Sequence, residues 1–179
     1  MTQPQANEAA SYYFRYIDLA HTDDIVSFLD EQMKQTLPFL ESISEEQSTH
    51  RYAPDKWSIR ELWNHVNDGE RIFLGRALWF ARGFTDPLPS FDQEIAVAGA
   101  KANETAWADL VEEFRIVRLG TLSLLRTLPT EAWSRTGIAS DSPVSVNALA
   151  YIIGGHLAHH VNVLKERYLS SDPVIRKFV

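Results

Sequence analysis

Apolar side chains recur at steps of three and four along four stretches of the chain, and between those stretches the pattern is lost. Ile25, Phe28, Leu29, Met33 and Leu37 form the first stripe, behind Thr22 and Asp23 as capping residues, and Pro38 is expected to break or kink that helix. Ser58 and Glu61 have the S-x-x-E spacing of a capping box and open a second helix expected to reach about Arg82, where Gly83 and two prolines stop it. Its inward stripe reads Leu62, His65, Gly69, Ile72, Phe73, Arg76 and Phe80. The third helix, from about Thr105 to Leu128, has the cleanest stripe, from Trp107 through Phe114 and Thr121 to Leu128, and offers packing without chemistry. The fourth opens at Ser145 or Asn147 and ends near Leu169, with Leu149, Ile153, His156, His160, Val163, Leu164 and Arg167 on its inward side. Gly154 and Gly155 inside it each cost about 1 kcal/mol against alanine, which predicts close approach of another helix or of a ligand beside His156.

The connections carry weaker signals. Residues 1–10 are polar and read as a flexible leader, and the aromatic group Tyr12, Tyr13, Phe14 and Tyr16 is expected to pack against the bundle or a partner subunit. Ser44 and Gln47 also have capping-box spacing. The stretch 83–103 ends in a small-residue tract too weakly patterned to predict a helix; its length points to a crossover that also walls a site. Residues 134–144 read as a polar loop.

The two histidines four apart change the picture, because residues at i and i+4 share one face of a helix. His156 and His160 therefore present two imidazoles one turn apart on an inward face, where a single metal ion satisfies both. His65, on the inward stripe of the second helix, is the candidate third ligand. It lies about 10 Å along its helix, and His156 and His160 lie about 13 to 20 Å from the end of theirs. Those levels match better if the two helices are antiparallel, which favours a crossover topology over simple up-down-up-down order. The pair His156 and His159, at i and i+3, is also within reach, although His159 lies farther from the stripe and reads as a neighbouring or surface residue. Asp68 is a candidate to hold a ligand imidazole or to pair with an arginine, and Arg76 and Arg167 are candidates to anchor a carboxylate of substrate or protein. Glu70, Arg71 and Arg82 read as a solvated face, and His21 and His50 as surface residues.

Composition limits the chemistry. A chain of 179 residues suits one domain, 1–179, which hides roughly 70% of its unfolded surface. There is no cysteine, so disulfides, a thiolate nucleophile and any cysteine-ligated zinc site are excluded, and a metal must use histidine and carboxylate. Net charge is −7 with a pI near 5.3 and no basic stripe, which argues against nucleic acid. The start of the chain has neither a signal-peptide pattern nor an apolar span, so a cytoplasmic protein without membrane contact is expected. No phosphate-binding glycine loop, no H-E-x-x-H and no spacing for a Ser-His-Asp arrangement occurs. Three imidazoles without a fourth protein ligand form an open site, and nitrogen donors suit zinc and nickel equally.

A family resemblance rests on specific residues. Arg51-Tyr-Ala-Pro-Asp-Lys-Trp-Ser-Ile-Arg-Glu-Leu-Trp-Asn-His65, Asp68-Gly-Glu-Arg-Ile-Phe73, Arg76-Ala-Leu78, Ala81-Arg-Gly83, Pro87-Leu-Pro-Ser-Phe-Asp92, Gly155-His156, His159-His160, Leu164 and Arg167-Tyr-Leu169 together resemble the DinB-like (YfiT-like) superfamily, from about residue 20 to 170. The resemblance implies an all-α four-helix bundle with long connecting loops. It implies a divalent metal held by one histidine of the second helix and two, four apart, of the fourth: here His65, His156 and His160, which selects His160 over His159. It further implies a homodimer and a small-molecule substrate. Relatives include enzymes that use low-molecular-weight thiols, such as S-transferases and a maleylpyruvate isomerase, and others described as metal-dependent hydrolases. The reading that follows is thiol-dependent S-transferase-like chemistry on a small electrophile, with a metal-dependent hydrolase as alternative and a non-catalytic metal- or ligand-binding stress protein as a further one.

Overall fold

The computed structural model describes residues 2–170. Four long helices form the expected all-α bundle: α2 (Ile25–Glu41), α3 (Ile59–Ala81), α5 (Trp107–Arg126) and α6 (Val146–Val163). Two short helices, α1 (Phe14–Ile17) and α4 (Gln93–Ala100), and a hairpin of β1 (Thr136–Ala139) with β2 (Ser142–Ser145) complete it. The local signals for the long helices hold. Ser58 and Glu61 make the reciprocal capping box of α3, and Ser145 accepts from the Ala148 N–H at the start of α6. The cap of α2 is Asp24, one residue later than expected. The start of α5 is capped from a distance, by the Glu45 carboxylate on the Trp107 N–H at 2.9 Å. Helix α2 continues through Pro38 to Glu41, because a proline in the last turn removes only one intrahelical donor.

Hydrogen bonds fix how the helices run. Arg60, at the start of α3, donates to the carbonyls of Asn103 and Thr105 just before α5, and Asn67 reaches Leu110 O, so α3 and α5 are parallel neighbours. Tyr168, beyond the end of α6, donates to Trp57 O just before α3, while Arg135, ahead of α6, reaches Ala81 O at the end of α3. Helices α3 and α6 are therefore antiparallel. Helix α2 packs against α5 and α6, running antiparallel to the first (Trp107 Nε1 to Leu40 O, Arg126 to Asp30) and parallel to the second (Gln32 to Gly154 O). The order is up-down-down-up, and the connection 83–103 is a return along the bundle.

Three stretches differ from the sequence expectations. The return is not plain loop: its small-residue tract forms α4, and Leu88 pairs with β1 through Leu88 N–H to Ile138 O and Ser140 N–H to Leu88 O. The loop expected at 134–144 is a two-residue hairpin whose turn residues, Ser140 and Asp141, both have positive φ (52° and 58°), the conformation that suits the twist of paired strands. The leader is tied down. Pro4 and Ala9 are buried, Ser145 N–H donates to Glu8 O, and Asn147 on α6 donates to Thr2 O; these are long-range bonds that leave no trace in local composition.

Helix α6 is the centre of the molecule, buried on every side from Val146 to Leu157 rather than along one stripe. Its two glycines have the predicted reason. A Cβ on Gly155 would stand 1.8 Å from Tyr16 O in α1, and one on Gly154 would stand 3.1 Å from the Phe28 ring of α2. After Val163 the chain makes a π-helical turn, Leu164–Tyr168. This turn invalidates the 3.6-residue extrapolation that placed Arg167 inward: Arg167 is exposed and rests over the Tyr52 ring. Among the described residues no helix is long and apolar enough to cross a membrane.

Candidate metal centre

His65 projects from α3 and His156 and His160 from α6, and their ring nitrogens converge. His156 Nε2 stands 3.2 Å from His65 Nε2 and 3.1 Å from His160 Nε2. His65 and His156 are buried and His160 nearly so, and among the described residues no other histidine or carboxylate joins them. Gly69, one turn after His65, makes room for the His156 ring.

This contact pattern suits a cation better than protons. A ring nitrogen offers either one in-plane lone pair or one N–H, so hydrogen bonding satisfies only one of the two contacts at His156 Nε2. Two nitrogens bound tetrahedrally to one zinc ion at 2.0–2.1 Å would lie about 3.3 Å apart, close to the separations found. The charge state agrees. Burial holds the His65 and His156 imidazoles at about 4 and about 3, helped for His65 by the charge of His159 and for His156 by those of His65, His159 and Arg15. His160 is lowered in the same way, first by burial and then by the neighbouring imidazoles. All three are therefore neutral near pH 7, as metal ligation requires.

The rings are held by packing more than by hydrogen bonds. Among the described residues the buried Nδ1 atoms of His65 and of His160 meet no hydrogen-bond acceptor or donor. Trp57 lies against His65 (centroids 5.1 Å apart), Tyr16 and Phe73 against His156 (5.3 and 5.7 Å), and His159 against His160 (4.9 Å). Trp57 and Tyr16 were not singled out as site residues by the sequence. The aromatic cluster around Tyr16 gave a packing signal, whereas nothing local connects Trp57 to His65.

Two clefts reach the centre. One is lined by His65 and His156 with Tyr13, Phe73, Arg76 and Phe91, and the other by His159 and His160 with Tyr52, Trp57 and Tyr168. His159 thus borders the centre without joining the converging nitrogens. Asp68 accepts from Asn64 and Arg71 rather than from a ligand imidazole. Arg76 is buried in the first cleft, and Arg167 is outside on Tyr52. Glu70, expected on a solvated face, is 3% exposed and forms a two-pronged ion pair with Arg118 of α5, so α5 contributes more than apolar packing.

Comparison with known proteins agrees with this architecture. Among solved structures the chain is similar to YfiT from Bacillus subtilis, described as a probable metal-dependent hydrolase with an unusual four-helix bundle topology (TM-score 0.71, 14% identity, 92% of this chain and 90% of that one). It is also similar to the mycothiol-dependent maleylpyruvate isomerase (TM-score 0.66, 12% identity, 84% of this chain), of which it spans 64%. At such identities the likeness is one of fold. No curated protein matches the sequence at a significant level. The family model of the DinB superfamily matches residues 29–164, a span that runs from the first turns of α2 past the last of the three histidines, and the chain belongs to that superfamily.

Proposed function

We propose that the protein is a metal-dependent enzyme acting on a small molecule, with His65, His156 and His160 holding one divalent cation, zinc or nickel. The observation that carries this reading is the approach of the neutral His65 and His160 Nε2 atoms to His156 Nε2, at 3.2 and 3.1 Å, with clefts on either hand. A bound divalent ion supplies Lewis acidity, lowering the pKa of a water or thiol beside it. The chain does the rest: the aromatic walls of Tyr13, Phe73 and Phe91 exclude water and seat an apolar group.

Thiol-dependent transfer to a small electrophile is the preferred reaction. With no cysteine in the chain, a sulfur nucleophile has to come from a cofactor such as a low-molecular-weight thiol, and the fold is shared with an isomerase described as mycothiol-dependent. Hydrolysis is the second reading, supported by the fold shared over nearly the whole of both chains with a probable metal-dependent hydrolase. Elemental analysis of tag-free protein tests the centre: one equivalent of zinc or nickel is expected, lost in His65→Ala, and retention of the ion in that variant would overturn the assignment. Turnover of an electrophile that needs both metal and added thiol supports transfer; thiol-independent turnover replaces it with hydrolysis.

A further inference from the structure

Among the described residues the cleft at His65 and His156 is lined by one formally charged side chain: Arg76 is 6% exposed, and no described aspartate, glutamate or lysine shares the lining with it. The other buried arginines have their own carboxylates, Arg118 on Glu70 and Arg60 on Glu45. Among the described residues Arg76 has none. Its Nη2 donates to Pro89 O (2.8 Å) in the return connection and to Ser140 Oγ (3.0 Å) in the hairpin turn. Nε and Nη1 have no protein acceptor among the described residues, and neither belongs to the polar atoms sealed away from solvent without a partner.

A buried guanidinium without a counter-ion is unfavourable unless something supplies the charge. Here the guanidinium is oriented by two contacts and left with free donors in a cleft whose walls include the rings of Tyr12, Tyr13, Tyr16, Phe73 and Phe91 beside Ile72 and Gln93. In a chain of net charge −7, this cleft is a local positive site, and its planar fork matches a carboxylate.

We propose that Arg76 binds the carboxylate of a small organic acid whose apolar or aromatic body lies along Tyr13, Phe73 and Phe91. This names the substrate class of the histidine centre and, as to reaction, rests on the function proposed above; the binding itself does not require the metal.

The test uses benzoate and its neutral isostere benzamide as probes, titrated by calorimetry into wild type, Arg76→Gln, Arg76→Lys and His65→Ala, with metal content measured for each. Wild type is expected to bind benzoate at least tenfold tighter than benzamide. Arg76→Gln is expected to lose that preference with metal content unchanged, Arg76→Lys to keep part of it, and His65→Ala to keep it without metal. Retention of the preference in Arg76→Gln, or its loss in His65→Ala, would assign the carboxylate to the metal and overturn the proposal. Metal retained by His65→Ala overturns the metal assignment alone. If Arg76→Gln does not fold, wild type decides: benzoate, and not benzamide, is expected to slow phenylglyoxal modification of Arg76 as mapped by mass spectrometry, and equal modification rates refute the inference.

Discussion

Gly69 lies directly against the imidazole of His156: a Cβ at residue 69 would stand 2.9 Å from His156 Cε1. The obstacle is a side-chain ring and not backbone, so Gly69→Ala can be accommodated by tilting the ring, which carries Nε2 away from the other two nitrogens. Alanine is also the better helix former by about 1 kcal/mol. Gly69→Ala is therefore expected to leave the melting temperature of the metal-free protein unchanged or raised while weakening metal affinity about 10- to 100-fold. Competition with a chelator of known affinity measures the second effect, and a variant that binds metal like wild type would show that the glycine serves only helix packing.

Gly155 meets a harder obstacle. A Cβ there would lie 1.8 Å from Tyr16 O, which is backbone and has no rotamer to yield. Gly155→Ala has to displace α1, and with it the Tyr16 ring that packs on both His156 and His159. The expected loss is about 1–3 kcal/mol in denaturant unfolding, with increased hydrogen exchange at residues 14–17.

The contrast between these glycines shows how much the sequence could say. The period of the stripes gives the four helices and the Ser58–Glu61 box gives the start of α3, because each signal is local; the i, i+4 spacing with the inward place of His65 favours the three histidines, and the family resemblance selects His160 over His159. That Gly154 and Gly155 had a packing reason was legible, but not that Tyr16 was the neighbour of one. The hairpin was hidden because Ser140 and Asp141 take positive φ without the Asn-Gly signature of such turns. Arg167 was misplaced because a π-helical turn shifts the phase of every later residue. Trp57 and Arg118 depend on contacts between helices that no periodicity records.

The depressed histidines make the stability of the metal-free protein depend on pH. Burial holds folded His65 at about 4 and His156 at about 3, against about 6.5 for imidazole in an unfolded chain. Between those values the unfolded chain binds more protons, so stability rises with pH. The contribution is fully present above about pH 6.5 and is lost as pH falls toward 4 and 3, on the order of 3 kcal/mol for His65 alone. Urea unfolding of chelator-treated protein at pH 7, 6 and 5 is expected to show this fall before most carboxylates titrate. His65→Gln is expected to flatten it; an unchanged slope would place the effect elsewhere.

The ion pair of Glu70 and Arg118 joins all four long helices. Arg118 Nε and Nη2 hold the two Glu70 oxygens at 2.8 and 2.9 Å, Thr121 donates to one of them, and Arg118 Nη1 donates to Leu29 O and to Gln32 Oε1. Gln32 in turn donates to Gly154 O, two residues before His156, while Glu70 follows the glycine beneath that same ring. The network thus ties α3 to α6 beside the meeting of His65 and His156. Glu70→Ala strands a fully buried guanidinium and is expected to cost about 3–5 kcal/mol. Replacing both partners by apolar residues, Glu70→Met with Arg118→Leu, removes the charges together and is expected to recover most of that stability. The double variant separates the two roles. If the network fixes register, the recovered protein still binds metal at least tenfold more weakly than wild type; if its affinity returns with its melting temperature, the pair contributes stability alone and the register is set by packing.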